Sequence, residues 1–155
     1  MNAQVAIAIL VGLAATINDL KNREIADWIP LTALIAGFGW QVGQNGWMGA
    51  AYALGGAVVG FSVFLIFYLM GGMGGGDIKL MTGFGALLGA SRLVEAALWT
   101  AGVGGLLAIA VLAWRGGMRW IQPQRAVLAT GADEESIPYA PAIAMGVWLS
   151  LVPKG

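Results

Sequence analysis

The chain contains neither cysteine nor histidine. Disulfides, cysteine-based zinc sites, a cysteine nucleophile, an HExxH metal site and any triad with an imidazole base are therefore excluded. Charge is scarce as well: Asp, Glu, Lys and Arg make up 10% of the 155 residues, against about a quarter in a typical soluble domain. Eight basic residues balance eight acidic ones, which leaves no basic surface for the counterion-releasing contacts that nucleic acid requires. No nucleic acid partner is expected. What fills the chain instead is apolar, with 59% hydrophobic residues and 25 glycines spread through apolar runs without the three-residue period of collagen. If such a chain does acid/base chemistry, carboxylates are the first candidates.

A membrane-spanning helix needs roughly 17 to 25 apolar residues. On that measure the sequence predicts an all-α, polytopic integral membrane protein with about six transmembrane helices, some of them short. They run from Ala3 to Asn18, Trp28 to Val42, Met48 to Met70, Ile78 to Ala90, Leu93 to Trp114 and Ile137 to Val152. The fourth reaches only about 20 Å at about 1.5 Å per residue, so its neighbours rather than lipid are expected to shield it. A soluble bundle would need a polar face on each helix, and Ala50 to Met70 has none. Residues 1–155 read as a single membrane-embedded domain without a separate soluble one. The apolar opening has no Lys or Arg ahead of it and no clear small-residue cleavage site, so a removable signal peptide is not expected and Met1 is expected to begin the mature protein.

If the first, third and fifth connecting segments face the cytoplasm, they collect Lys21, Arg23, Lys79, Arg115, Arg119 and Arg125, leaving Arg92 and Lys154 on the other side. Six against two fits the positive-inside rule and predicts a periplasmic amino terminus in a bacterial inner membrane. Trp28, Trp40, Trp47, Trp114 and Trp120 fall near segment ends, as an aromatic belt at the lipid headgroups requires. Gly39 with Gly43, Gly56 with Gly60 and Gly85 with Gly89 form small-xxx-small pairs that let helices approach closely. Such pairs fit contacts within one chain and contacts with a second copy equally, so an oligomer stays open.

Of the eight acids, Glu24, Glu95, Asp133, Glu134 and Glu135 lie in connecting segments or close to segment ends, where solvation explains them. Asp19 closes the first segment, Asp27 opens the second and Asp77 joins a glycine-rich loop to the fourth, all at the cytoplasmic boundary. Ionisable groups at such depth are costly and therefore candidates for function. Simpler roles stay open beside that one. Asp77 after Gly74, Gly75 and Gly76 has the look of a helix N-cap, Asp19 can pair with Arg23 one turn later, and Asp27 beside Trp28 suits a helix start.

The run Gly74, Gly75, Gly76, Asp77, Ile78, Lys79 resembles the GxGD motif of the type IV prepilin peptidases, which are intramembrane aspartic proteases, including the Lys two places after the acid. Asp19, Leu20, Lys21 through Ile25 is similar to that family's first aspartate block, an Asp followed by a basic stretch and then Ile-Pro-Asn. Ile137 to Gly146, reading IPYAPAIAMG, is similar to its PYGPAIALG segment. The three blocks stand in family order and span most of the chain. Ala26 and Asp27 replace the usual Pro and Asn, and Ala140 the usual Gly, without touching either acid.

The resemblance implies that Asp19 and Asp77 form a catalytic pair, one carboxyl activating water and the other protonating the departing amine. It implies an active-site loop of Gly74, Gly76 and Lys79, with Lys21, Arg23, Pro138, Tyr139 and Pro141 in support. Gly74 and Gly76 would allow backbone conformations and approaches that side chains block. Lys79, two residues from Asp77 on a helix, points elsewhere and with Lys21 and Arg23 would set orientation or meet lipid headgroups. Pro138 and Pro141 would either simply start the sixth helix or shape it to cover the site. The implied substrate is a prepilin or pseudopilin-like protein whose basic leader is removed beside its hydrophobic helix, with water as co-reactant and no cofactor or metal. The absence of a Cys-rich region resembles the short forms of tight-adherence (Flp) pilus systems and implies cleavage without N-methylation. A small ion- or proton-coupled transporter, and a structural membrane subunit of a pilus or secretion assembly, are the competing classes.

Overall fold

The computed structural model describes residues 3–70, 73–121 and 139–152, with side chains throughout except at 108, 111, 112 and 114–121. Every regular element among the described residues is a helix: α1 (Ala3–Asn22), α2 (Trp28–Leu69), α3 (Gly75–Leu88), α4 (Ala90–Ile121) and α5 (Ala140–Ser150).

The second and third expected spans are the two arms of α2. Its 42 residues are broken at Gly46, whose φ of 56° and ψ of −137° lie outside the helical region; side chains rarely tolerate that backbone, so glycine marks the break. Gly49 then packs against the backbone of Gln41 so closely that a Cβ would overlap the Gln41 carbonyl, which brings the arms side by side. Residues 28–45 and 47–69 would measure about 27 and 35 Å as straight helices, close to the ~30 Å hydrocarbon core of a bilayer.

Part of the six-span expectation is shown. Among the described residues α1 and α2 are long and apolar enough to cross a membrane, whereas α3 and α5 have only 14 and 11 residues. The α5 helix starts at Ala140 rather than Ile137, which lies outside the described residues. The α4 helix runs past the expected end at Trp114 to Ile121.

Short as it is, α3 sits at the centre. Leu80, Met81, Phe84, Ala86 and Leu87 are fully buried, as expected of a segment shielded by neighbours. The arms of α2 clasp it through glycines. A Cβ on Gly56 would overlap the Gly85 carbonyl, and one on Gly85 the Gly56 carbonyl. On the other arm Gly37 meets the backbone of Ala86 and Leu87, and Gly83 meets Pro30 and Ala33. The pair Gly39 and Gly43, read from sequence as equivalent, has nothing within 4 Å of either position.

Small residues inside and large apolar ones outside is the general pattern. The buried stripe of α1 is Ala8, Gly12, Ala15 and Asp19, while Leu10, Leu13, Ile17 and Leu20 are exposed. Without water, no transfer free energy draws Leu inward, and close packing of small residues holds helices together instead. At one end of the bundle Gln4 of α1 and Gln41 of α2 both donate to the Leu87 carbonyl, at 2.8 and 3.1 Å; the last turn of a helix leaves such carbonyls without partners of its own. The opposite end holds the acids.

Candidate active site

Asp19 lies in the last turn of α1. The helix ends through Arg23, a non-glycine residue at φ 55°, whose N–H donates to the Asp19 carbonyl at 2.8 Å in the manner of a left-handed C-terminal cap. The side chain of Asp19 turns inward and is 7% exposed. Its Oδ2 accepts a hydrogen bond of 3.0 Å from the backbone N–H of Ala140, the first residue of α5. A first-turn N–H has no partner within its own helix, and a carboxylate is favoured there by the helix dipole. Asp19 thus caps another helix 121 residues away in sequence. The next residue, Pro141, has no N–H to satisfy.

Asp77 holds the third position of α3, and Gly74, rather than Asp77, is the N-cap. Oδ2 of Asp77 reaches back to accept the Gly74 N–H at 3.1 Å, the carboxylate half of a capping box. Asp77 is also 7% exposed, and the Asp19 carboxyl lies near enough to interact with it electrostatically. The structure thus brings the acids of the first two blocks together and ties one of them to the third.

Gly74 adopts φ −80° and ψ 156°, a conformation open to any residue, so the expected conformational freedom is not what glycine provides there. Close approach is. A Cβ on Gly76 would lie 3.1 Å from Cβ of Ile25, whose buried side chain docks the α1–α2 connection onto the start of α3. Lys79 faces away from the carboxyl pair. Its ammonium lies 2.6 Å from Oδ1 of Asp27, an exposed ion pair that joins the same connection to α3. Asp27, set aside in the sequence as a residue suited to a helix start, is therefore the partner of Lys79. No sequence signal announces this pairing across 52 positions. Lys21 is exposed at the end of α1. Tyr139 and Pro141 flank the Ala140 N–H that Asp19 accepts, and Pro138 lies outside the described residues.

Among the described residues no group of three or more acidic, His or Cys side chains could hold a metal ion. The arrangement is two buried carboxyls, each with Oδ2 tied to a backbone N–H at a helix start. A family model described as the type IV leader peptidase family matches residues 6–109, a stretch that includes both carboxyls. The chain belongs to the type IV leader peptidase family. It is therefore a peptidase, and its apolar helices fit a family that works in membranes. No curated protein and no solved structure matches it. The matched region of this leader peptidase takes in α1, α2, α3 and most of α4, and stops short of the α5 turn that Asp19 caps.

Proposed function

We propose that the protein is an intramembrane aspartic endopeptidase that removes the leader from prepilin-like substrates, with Asp19 and Asp77 as its catalytic pair. The observation that carries this reading is the burial of two carboxyls at one end of the bundle, each oriented by a backbone donor at a helix start. Two neighbouring carboxyls that share one proton supply both groups that peptide hydrolysis needs. The ionised one takes a proton from water as the water oxygen bonds to the scissile carbonyl carbon. The protonated one gives its proton to the departing nitrogen as the C–N bond breaks. The products are a carboxylic acid and an amine, and the pair has again one proton between its two members. Microscopic roles belong to the pair rather than to either residue.

The reading extends to a bacterial inner membrane, with the amino terminus periplasmic and the carboxyl pair at the cytoplasmic face, where Lys21, Arg23 and Lys79 satisfy the positive-inside rule. Six membrane-embedded segments are then α1, the two arms of α2, α3 shielded by its neighbours, α4 and α5. With no cysteine in the chain, cleavage without N-methylation is part of the proposal.

The test is Asp77→Asn and Asp19→Asn, each assayed for prepilin cleavage in membranes matched for protease content. Asn keeps an oxygen able to accept the Gly74 or Ala140 N–H, so both variants should accumulate normally. Loss of the ionisable group should lower cleavage by at least about a hundredfold, and the double variant should be scarcely worse than either single one. Substantial activity in either single variant would sink the assignment.

A further inference from the structure

A cavity of about 450 Å³ lies between the second arm of α2 and α4, and the hydrolysis described above makes no use of it. One wall is the second arm of α2, with Phe64 and Phe67; the other is α4, with Ala97, Ala101 and Gly105. Met73 and Tyr139 complete the lining. Those two residues fix its relation to the site. Met73 precedes Gly74, whose N–H is bonded to Asp77, and Tyr139 precedes Ala140, whose N–H is bonded to Asp19. Each of these two lining residues is thus the immediate chain neighbour of a backbone donor that orients one carboxyl.

We infer that this cavity receives the apolar stretch of the peptide substrate immediately adjoining the cleaved bond, about one helical turn of it. The inference rests on the endopeptidase reading and adds the residues that select the substrate. Chemistry sets the class of occupant. The Thr100 hydroxyl in the lining already donates to the Ala96 carbonyl, which leaves Tyr139 as the lining's other polar side chain. A charged or hydrogen-bonding segment would lose its water without gaining partners. Size agrees, since one turn of helix about 10 Å across and 5.4 Å long occupies roughly 420 Å³. The wall of α4 also favours a peptide. Ala97, Ala101 and Gly105 recur every four residues as a ridge of small side chains, which lets a second backbone come close and gain van der Waals contact.

Gly105 provides the test, because nothing lies within 4 Å of a Cβ placed there. Gly105 is part of the lining, so Gly105→Phe meets no clash at its Cβ and adds a ring to the cavity wall. Gly102, on the same helix, is equally open but is not part of the lining, so Gly102→Phe is the matched control. With purified protein and a purified prepilin in liposomes, Gly105→Phe should raise KM by about tenfold or more while kcat stays within about twofold, a loss of binding rather than of chemistry. Ala101→Leu, a smaller filling of the same wall, should move KM in the same direction. Gly102→Phe should leave both constants near wild type. A benzophenone side chain introduced at Ala101 should cross-link to prepilin residues within one turn of the cleaved bond. Wild-type KM in both filled variants, or cross-links to lipid alone, would overturn the inference while leaving the endopeptidase reading intact. A wild-type protein that cleaves no prepilin would overturn that reading, and the inference with it.

Discussion

Three small-xxx-small pairs look alike in the sequence, yet the structure assigns them opposite energetic roles, which Gly56→Ala and Gly39→Ala expose. In a helix interior Ala is favoured over Gly by about 1 kcal/mol. At Gly39 nothing lies within 4 Å of the added methyl, so the full preference should appear as stabilisation. At Gly56 the methyl would overlap the Gly85 carbonyl. That neighbour is backbone of a buried helix and cannot rotate aside, so the cost should sit at or above the upper end of the ~1–3 kcal/mol typical of overpacking. After the helix preference is credited, Gly56→Ala should be about 2 kcal/mol less stable than wild type and about 3 kcal/mol less stable than Gly39→Ala. For a chain of this length, 1 kcal/mol corresponds to about 2–4 °C in Tm. Thermal unfolding in one detergent, followed by tryptophan fluorescence, should therefore separate the two variants by roughly 6–12 °C with wild type between them. Because Gly85 lies on the helix that carries Asp77, Gly56→Ala should lose cleavage activity as well. Equal Tm values, or a destabilised Gly39→Ala, would refute the assignment of the clasp to Gly56 and Gly85.

Two further expectations concern membrane orientation and product. With no native cysteine to interfere, Asn45→Cys, beside the Gly46 turn, should react with an impermeant thiol reagent outside intact cells, and Arg119→Cys should not; the reverse pattern would place the carboxyl pair on the periplasmic side. Prepilin incubated with the purified protein and a methyl donor should yield a shortened pilin whose mass corresponds to an unmodified amino terminus, and an added methyl group would contradict cleavage without methylation.

Much of this protein is local information. Long apolar runs and scarce charge dictate a membrane solvent. The break expected between Val42 and Met48 is found at Gly46, because the combination of φ 56° with ψ −137° is one that side chains rarely tolerate. The shortness of the fourth segment implied shielding, and α3 is buried from Leu80 to Leu88 save for a half-buried Thr82. Asp19 and Asp77 stood out because acids in so apolar a chain need a reason. Tertiary structure decided what those acids touch. Asp19 meets an N–H 121 residues away, Asp77 proves to be the third residue of its helix rather than the cap, and Lys79, two residues further on, turns to Asp27 instead. It also chose among the glycines, packing Gly56 on Gly85 and leaving Gly39 and Gly43 open. A spacing of four residues only places two positions on one face of a helix. Which backbone or donor faces them depends on how the arms of α2 close around α3, and that follows from the packing of the whole bundle.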